Sequence, residues 1–458
     1  MPVGAFTSSN NFTGFLKPVF MDGVIPQAIP VHSKLYDNFS KTKSLAKFQA
    51  DGSSFEFPVI TGIGGSGGFI GEGGTLYDAQ APITIRPTLR TKTIQETVSF
   101  TRQMLEMGKR DQSGFAKNTE MIMKLQVSNF ARKINLAHYG SQVRTISGGG
   151  APATLSLNGV LGRVSAFAAG VATMDATGVG TYLGYNNTQI GSTRVTKQYR
   201  AGDILCHGTI AGLNVFTATG VSRVDSINQA ANQLTLTNLL GVPAAPGNFV
   251  VWGSAASLSV NSYGKAAQGF GMLFNQTDGA GTLQIEGANV QAGNQMGWST
   301  ATIASAGVFL ESDLHKAVRL VTTQGQGQPK LMVADPTIMD LWYAFNAGNV
   351  RQVPQTIKGG YKGDIPFSTL NGESIDWLFD NDCPYGVIHF IDPSQWFYAC
   401  PGNQKPDWAT MGAGNGGWVQ VANTDAVYKY MVWDYEFCLK TLNSQTAITG
   451  IQIPDASL

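Results

Sequence analysis

Eight of the thirteen residues from Gly62 to Gly74 are glycine. Such a run excludes a helix there, because each glycine costs roughly 1 kcal/mol against alanine in a helix interior. Its flanks read as extended. Phe55-Glu56-Phe57-Pro58-Val59-Ile60 alternates as a strand does, with Pro58 directing it to a sheet edge. Ile83 to Ser99 is rich in Thr, Ile and Val, and ends in Glu96-Thr97-Val98-Ser99-Phe100. Two extended arms joined by a glycine-rich tip predict a long hairpin, or finger.

The tip imitates two catalytic motifs. Gly62-Ile63-Gly64-Gly65-Ser66-Gly67 satisfies G-x-G-x-x-G, and Gly64-Gly65-Ser66-Gly67-Gly68 satisfies G-x-S-x-G. The first needs a helix N-terminus to bind a pyrophosphate, and the second needs a strand–turn–helix to expose its serine. Gly68-Phe69-Ile70-Gly71-Glu72-Gly73-Gly74 follows instead, which is no helix. A flexible loop tip is the better reading.

Helical periodicity is clearest just after the finger. A short segment, Phe100 to Lys109, is expected to be helical, with breakers at Asp111, Ser113 and Gly114. From about Phe115 to Tyr139, Met123, Val127, Phe130, Ile134 and Ala137 recur at steps of three and four, so they form the expected core stripe. Lys117, Lys124, Arg132 and Lys133 fall mostly off it, and Gly140 supplies a stop. The rod would be roughly 37 Å long at ~1.5 Å per residue.

The rest divides by composition. Residues 1–50 are polar and irregular, punctuated by Asn10-Asn11, Pro18, Pro26 and Pro30. They read equally as a frayed terminus and as an arm that orders against a neighbour. Charge thins out over 141–300. Within it, about 195–258 reads as a small barrel-like β-module, with short strands at 203–206, 213–216, 221–227, 233–237 and 249–252. Disorder competes for 141–194. From 305 the pattern is α+β. One helix opens at Glu311 or Ser312, with Leu314, Ala317, Val318 and Val321 on a face and Gly325 closing it. Asp335-Pro336 starts another, striped by Ile338, Leu341, Trp342 and Phe345. Strands are expected at 330–334, 375–379, 385–391, 395–398 and 426–440.

Composition narrows the function. Of 458 residues, 43% are hydrophobic and 13% charged, so a sizeable core is available and few charges cover it. Lys plus Arg is 31 against 30 Asp plus Glu, where a duplex-DNA reader normally carries a basic excess. No apolar run suggests a membrane span, and Met1-Pro2-Val3-Gly4-Ala5-Phe6-Thr7-Ser8 does not read as a signal peptide. Cys206, Cys383, Cys400 and Cys438 follow no metal or disulfide spacing, which points to synthesis in a reducing cytoplasm.

His32, His138, His207, His315 and His389 form no ligand pair, so each is expected to be a hydrogen-bonded structural histidine. Asp380, Asp382 and Asp392 could approach one another, but acids near turns are expected to cap helices or solvate loops. Trp396, Tyr398, Trp408, Trp418, Tyr428, Tyr430, Trp433 and Tyr435 are expected in a core or subunit interface, a base-stacking platform being the alternative. No catalytic, metal or cofactor site is expected.

The order of these parts resembles the major capsid proteins of tailed bacteriophages, the Hong Kong 97-like capsid fold. The residues that carry the likeness are Glu96 to Glu106, Asn135-Leu136-Ala137-His138-Tyr139-Gly140, Asp392-Pro393-Ser394-Gln395-Trp396-Phe397-Tyr398 and Tyr428 to Phe437. The resemblance implies an α+β fold: an N-terminal arm at 1–50, an extended loop at 51–100, and a spine helix with peripheral domain at 101–145. It also implies an insertion domain at 146–304 and, at 305–458, an axial domain with strands returning to the peripheral one. It implies a non-enzymatic subunit of pentamers and hexamers in an icosahedral shell around packaged double-stranded DNA, with no cofactor.

Expected partners are further copies of itself, a separate scaffolding protein, a portal and decoration proteins, with weak non-specific DNA contact and no membrane. The location would be the virion, with assembly in the bacterial cytoplasm. Gly67, Phe69, Ile70 and Leu76 become the expected inter-subunit contacts. Lysine-mediated cross-linking is not expected, since the tip has no lysine and Lys92 lies far down the returning arm. A tail-tube or minor capsid subunit, and a hydrolase using Ser66, are the alternatives.

Overall fold

The computed structural model describes residues 34–36, 55–62, 68–69, 72, 74, 81–86, 88–101, 115–140, 143–146, 153–156, 159–175, 196–211, 215–271, 284–285, 288–289, 301–304, 309–324, 327–346, 367–368, 374–401, 406–408, 418–420 and 425–451. The finger is a two-stranded antiparallel ribbon. Strand β1 (Phe55–Glu56) and β2 (Val59–Gly62) pair with β4 (Thr88–Leu89) and β3 (Ile83–Ile85) respectively. The ladder is interrupted at Phe57-Pro58, where proline has no N–H to give.

The ribbon continues into β5 (Lys92–Thr101), whose faces alternate with period two. Thr93, Gln95 and Thr97 are exposed, while Val98 and Phe100 are buried. Phe100 and Thr101 therefore finish a strand and do not open the helix expected at Phe100 to Lys109; the β-branched alternation outlasts the helical signal. The remainder of that segment lies outside the described residues.

Helix α1 (Phe115–Tyr139) follows, closed by a Gly140 N–H bond to the Ala137 carbonyl. Phe130 and Ile134 are buried, and Met123 is half-buried. Val127 is 38% exposed, against the expected stripe. Helix α1 touches β5 through Ile122, Asn129 and Lys133. At about 100° per residue, Val127 lies about 140–160° around the helix from Ile122 and Asn129, and so faces outward.

Two small hairpins lie in the low-charge region: β6 (Val143–Ile146) with β7 (Ala153–Ser156), and β15 (Gln284–Ile285) with β16 (Ala288–Asn289). Between them stands a closed six-stranded barrel. It comprises β8 (Val160–Ala168), β9 (Val171–Met174), β10 (Ile204–Ala211), β11 (Val215–Asn228), β12 (Gln233–Gly241) and β13 (Phe249–Ser254). The ring runs β10-β11-β12-β9-β8-β13 and back to β10, with β14 (Ser257–Asn261) paired outside β13. Leu161, Val164, Ala172, Met174, Leu205, Val224, Leu234, Leu236 and Val250 bring all six strands into one cluster. The barrel is larger than the 195–258 expected, because 160–174 supplies two of its strands. Their turn, Ala169-Gly170, has φ of 50° and 80°. Both values suit a two-residue hairpin, without the Asn-Gly pair that announces one in sequence.

A second layer is a mixed six-stranded sheet. Its strands are β17 (Ala301–Ala304), β18 (Leu331–Ala334), β19 (Phe367–Ser368), β20 (Ser374–Phe379), β21 (Ile388–Ile391) and β26 (Thr446–Thr449), in the order β17-β26-β21-β18-β20-β19. Helices α2 (Glu311–Gln324) and α3 (Pro336–Asn346) cover one face. Leu314, Ala317, Val318 and Val321 of α2 are buried, as are Ile338 and Trp342 of α3; Phe345 is exposed. Strand β18 is buried on both sides: Met332 and Ala334 pack under the helices, and Leu331 and Val333 join the main core.

The third layer is organised by β25 (Ala426–Leu439). It pairs over ten residues with β5, from Ala426 opposite Thr101 to Tyr435 opposite Lys92. It also pairs with β22 (Trp396–Ala399), β23 (Asp407–Trp408) and β24 (Val419–Gln420). The main core joins Phe130, Ile134 and Tyr139 of α1 to Trp396, Trp433, Tyr435 and Phe437, and to Leu35 from a single helical turn at Lys34–Tyr36.

Candidate functional site

Three features concentrate chemistry: the finger, the junction beneath α1, and a cleft at the finger's root. The finger has large apolar side chains in solvent. Ile60 is 65% exposed, Phe69 106% and Ile83 44%. Of the four expected contact residues, Phe69 is thus placed on the surface; Gly67, Ile70 and Leu76, with Ser66, lie outside the described residues. The finger's base is held, with Phe57 edge-on to Phe397 at 5.7 Å and Val59 in the main core.

The junction gathers buried polar groups from parts distant in sequence. Asn135 of α1 donates to Asp380 Oδ2 at 2.9 Å and to Asp382 Oδ2 at 2.7 Å. The Tyr139 hydroxyl donates to Asp380 at 3.0 Å, and the backbone N–H of Leu35 does so at 3.3 Å. Burial, then the neighbouring Asp380, push Asp382 up to about 6. Asp392 instead caps a short helical turn by accepting from the Ser394 N–H at 3.0 Å.

The connection before β10, which lies within the barrel's sequence, joins the same junction. Lys197 donates to Asp335 at 2.7 Å and to the Cys383 carbonyl. Burial alone would lower the lysine's pKa, but Asp335 and Tyr385 beside it raise it overall, so it stays an ammonium. Arg132 of α1 donates to the Gln198 carbonyl and lies 4.0 Å from Asp203. The barrel is therefore fastened to α1 and to the sheet that carries Asp335. Sequence reasoning did not find this network. Its members are polar residues with no local pattern, and only their burial in the folded chain, as at Asn135 and Arg132, marks them.

The histidines are internal to the fold where described, apart from His315. Burial lowers His138 to about 3, His207 to about 4 and His389 to about 3. His138 meets the Tyr398 hydroxyl at 2.9 Å, His207 meets Ser222 at 3.1 Å, and His389 lies 3.8 Å from the Cys383 sulfur. His315 is half-exposed, 3.7 Å from Glu311. His32 is outside the described residues. Trp396, Tyr398, Trp433 and Tyr435 stack within the core, with Trp433 on Tyr435 at 4.2 Å and Trp396 on Phe437 at 4.5 Å. Trp408 and Trp418 flank the Lys429 ammonium at 5.5 and 5.9 Å.

The cleft, about 290 Å³, lies between β5, α1 and the barrel hairpin β13–β14. Lys92, Lys133 and Lys265 line it together with Trp252, Val260 and Tyr435. Lys133 is ion-paired with Glu96 and sits 5.1 Å from the Trp252 ring centre.

No protein-family model matches this chain, and no curated protein does. Solved structures do. A chain of the cyanophage A-1(L) capsid asymmetric unit is similar over 93% of this chain and 95% of its own, at 10% identity and a TM-score of 0.49. A chain of the capsid of a native GTA particle matches over 94% and 98%, at 12% identity and 0.40. A chain of Gordonia phage Cozz matches over 96% and 95%, at 10% identity and 0.41. These are loose likenesses that extend over nearly the whole chain.

Proposed function

We propose that this chain is the major capsid protein of a tailed bacteriophage, a subunit that closes with copies of itself into an icosahedral shell around double-stranded DNA. The observation that carries this reading is the finger. Its root is clamped by the ten-residue pairing of β5 with β25, while its shaft and tip hold Ile60, Phe69 and Ile83 in solvent. A rigidly rooted projection with exposed apolar side chains gains by covering a second subunit, since burying one such side chain is worth roughly 1.5–3 kcal/mol. The resemblance in element order and the nearly balanced charge, 31 against 30, support it too.

On this reading α1 is the spine helix of a peripheral domain built on β25 and β5. The six-stranded sheet with α2 and α3 is the axial domain, the barrel is an insertion, and residues 1–50 are the arm. The work of the protein is assembly and not catalysis, with a scaffolding protein as its partner during assembly. Sedimentation and negative-stain microscopy of the full chain, with and without the scaffolding protein of its phage, test the proposal. Closed shells or capsomer rings are expected; a stable monomer under both conditions refutes it.

A further inference from the structure

We propose that the cleft between β5, α1 and the barrel is a binding site for a small phosphate monoester with an apolar body, the size of a nucleoside monophosphate. The site lies within one subunit, so the inference stands apart from the shell reading above. Small residues leave the hollow: Gly140, Gly159, Gly253, Ala137, Ala266 and Ala267 all line it. Gly159 is fixed as glycine, since its φ is 78° and a Cβ there would come within 2.2 Å of the Ser262 carbonyl oxygen. At about 290 Å³ the cleft stands at the low end of ligand pockets, which run roughly 300–1,000 Å³, and so suits a compact organic molecule.

Charge selects the class of ligand. Lys92, Lys133 and Lys265 line the cleft, and among the described residues no Asp or Glu does. Lys133 has Glu96 as its counter-ion. Lys92 has Glu436 nearby, but burial pushes that carboxyl up to about 8, so it is mostly protonated at neutral pH. Lys265 is exposed and makes no ion pair among the described residues. Two ammonium charges are therefore left uncancelled, which matches the charge of roughly −1.5 to −2 on a phosphate monoester at pH 7. A carboxylate or a phosphodiester brings only one. The neutral polar side chains are already used by the fold. Ser262 Oγ donates to the Gly159 carbonyl at 3.1 Å and accepts from the Trp252 N–H at 3.0 Å. Asn261 donates to the Leu258 carbonyl and accepts from the Tyr263 N–H, both at 3.2 Å, and the Thr93 hydroxyl donates to Asp434. The side-chain donors left to a ligand are mainly ammonium groups, which call for an acceptor-rich anion. Trp252 and the 57% exposed Val260 supply an apolar wall for the body of the ester.

The test uses the full chain as unassembled subunit, with equilibrium dialysis and lysine acetylation read by mass spectrometry. Deoxyadenosine 5′-monophosphate is expected to half-saturate the subunit below about 1 mM. It should shield Lys92 and Lys265 from acetylation and leave the exposed Lys316 of α2 unshielded. Inorganic phosphate and deoxyadenosine are each expected to bind at least tenfold more weakly, since one lacks the apolar body and the other the charge. Lys265→Gln, at an exposed position, should weaken binding at least fivefold, and Lys316→Gln should leave it unchanged. A 5′-phosphorylated oligonucleotide that competes as well as the mononucleotide makes a strand end the source of the monoester; failure to compete makes it a free nucleotide, and both results keep the site. Equal binding of inorganic phosphate, of deoxyadenosine or of the unphosphorylated oligonucleotide overturns the proposal. So does wild-type binding by Lys265→Gln, or uniform shielding of lysines along the chain. Assembly is read separately by sedimentation, so none of these results bears on the shell.

Discussion

Asn135, near the end of α1, donates its side-chain amide to Asp380, 245 residues further along the chain, at 2.9 Å. The same amide reaches Asp382 at 2.7 Å, so one uncharged side chain holds two buried carboxyl groups. A hydrogen bond to a charged group is worth roughly 1.5–3 kcal/mol. Asn135→Ala removes two and leaves the acids under-partnered. Its unfolding free energy is expected to fall by at least about 2 kcal/mol in denaturant titration of the unassembled subunit. A loss below ~0.5 kcal/mol, the size seen at ordinary surface sites, would remove the network from any structural role.

The second prediction separates the two faces of α1. Phe130 is 1% exposed and packs in the main core, so Phe130→Ala should cost roughly 3–5 kcal/mol. Val127→Ala, on the outward face, should change stability by less than ~0.5 kcal/mol. Comparable losses at both positions would mean that the N-terminal half of α1 is covered in the free subunit.

What the sequence made legible is what local period encodes. The alternation of β5, the length of α1 and the apolar face of α2 can each be read within ten to twenty-five residues. Pairing of β5 with β25 cannot, because any strand of suitable alternation would serve as partner. The β8–β9 hairpin was hidden by its small residues and by an Ala-Gly turn. The junction was hidden for a different reason: Asn135, Lys197 and Asp380 gain meaning only from one another, and the folded topology alone brings them together.

Titration of buried acids predicts an unusual dependence on pH. Glu436 accepts from the Gln268 and Phe437 N–H groups, and burial pushes it up to about 8. A carboxyl with a raised folded pKa binds its proton more tightly when folded. Its stabilising effect is complete below the unfolded value near 4.5 and is lost as pH rises towards 8. Asp382, at about 6, acts the same way over a lower range. The three buried histidines oppose both below pH ~6.5, where the unfolded chain takes up protons that the folded one refuses. Stability should therefore decline from about pH 6.5 to 8, and Glu436→Gln should flatten that decline, since the glutamine oxygen can accept the same two bonds. Denaturation midpoints across this range decide it; an equal slope in the variant would shift the cause to another group.

A fourth prediction concerns a close approach. A Cβ on Gly269 would meet the carbonyl oxygens of Gly140, Ala137 and His138 at 2.4, 2.5 and 2.7 Å. These are backbone atoms at the end of α1 and cannot swing aside. Gly269→Ala is expected to abolish soluble expression or to lower the melting temperature sharply, whereas Gly264→Ala meets no atom within 4 Å and pays only for its φ of 69°. Wild-type melting in Gly269→Ala would show that the segment beneath α1 can move away.

The last prediction is that the finger is cleaved quickly in the free subunit and slowly in particles. Ordering a residue costs roughly 1–2 kcal/mol of backbone entropy, and glycine loses the most. With eight glycines in thirteen positions, the tip has few side chains to offset that cost within its own subunit. Phe69 is fully exposed and presents chymotrypsin with an aromatic site. Contact with a neighbour would bury Phe69, so the cleavage rate at Phe69 should drop by at least tenfold on assembly. Cleavage at Phe100 serves as the internal control, because that ring is buried in the free subunit and should be cut slowly in both forms. Equal rates at Phe69 in free subunits and particles would leave the finger without a part in the shell.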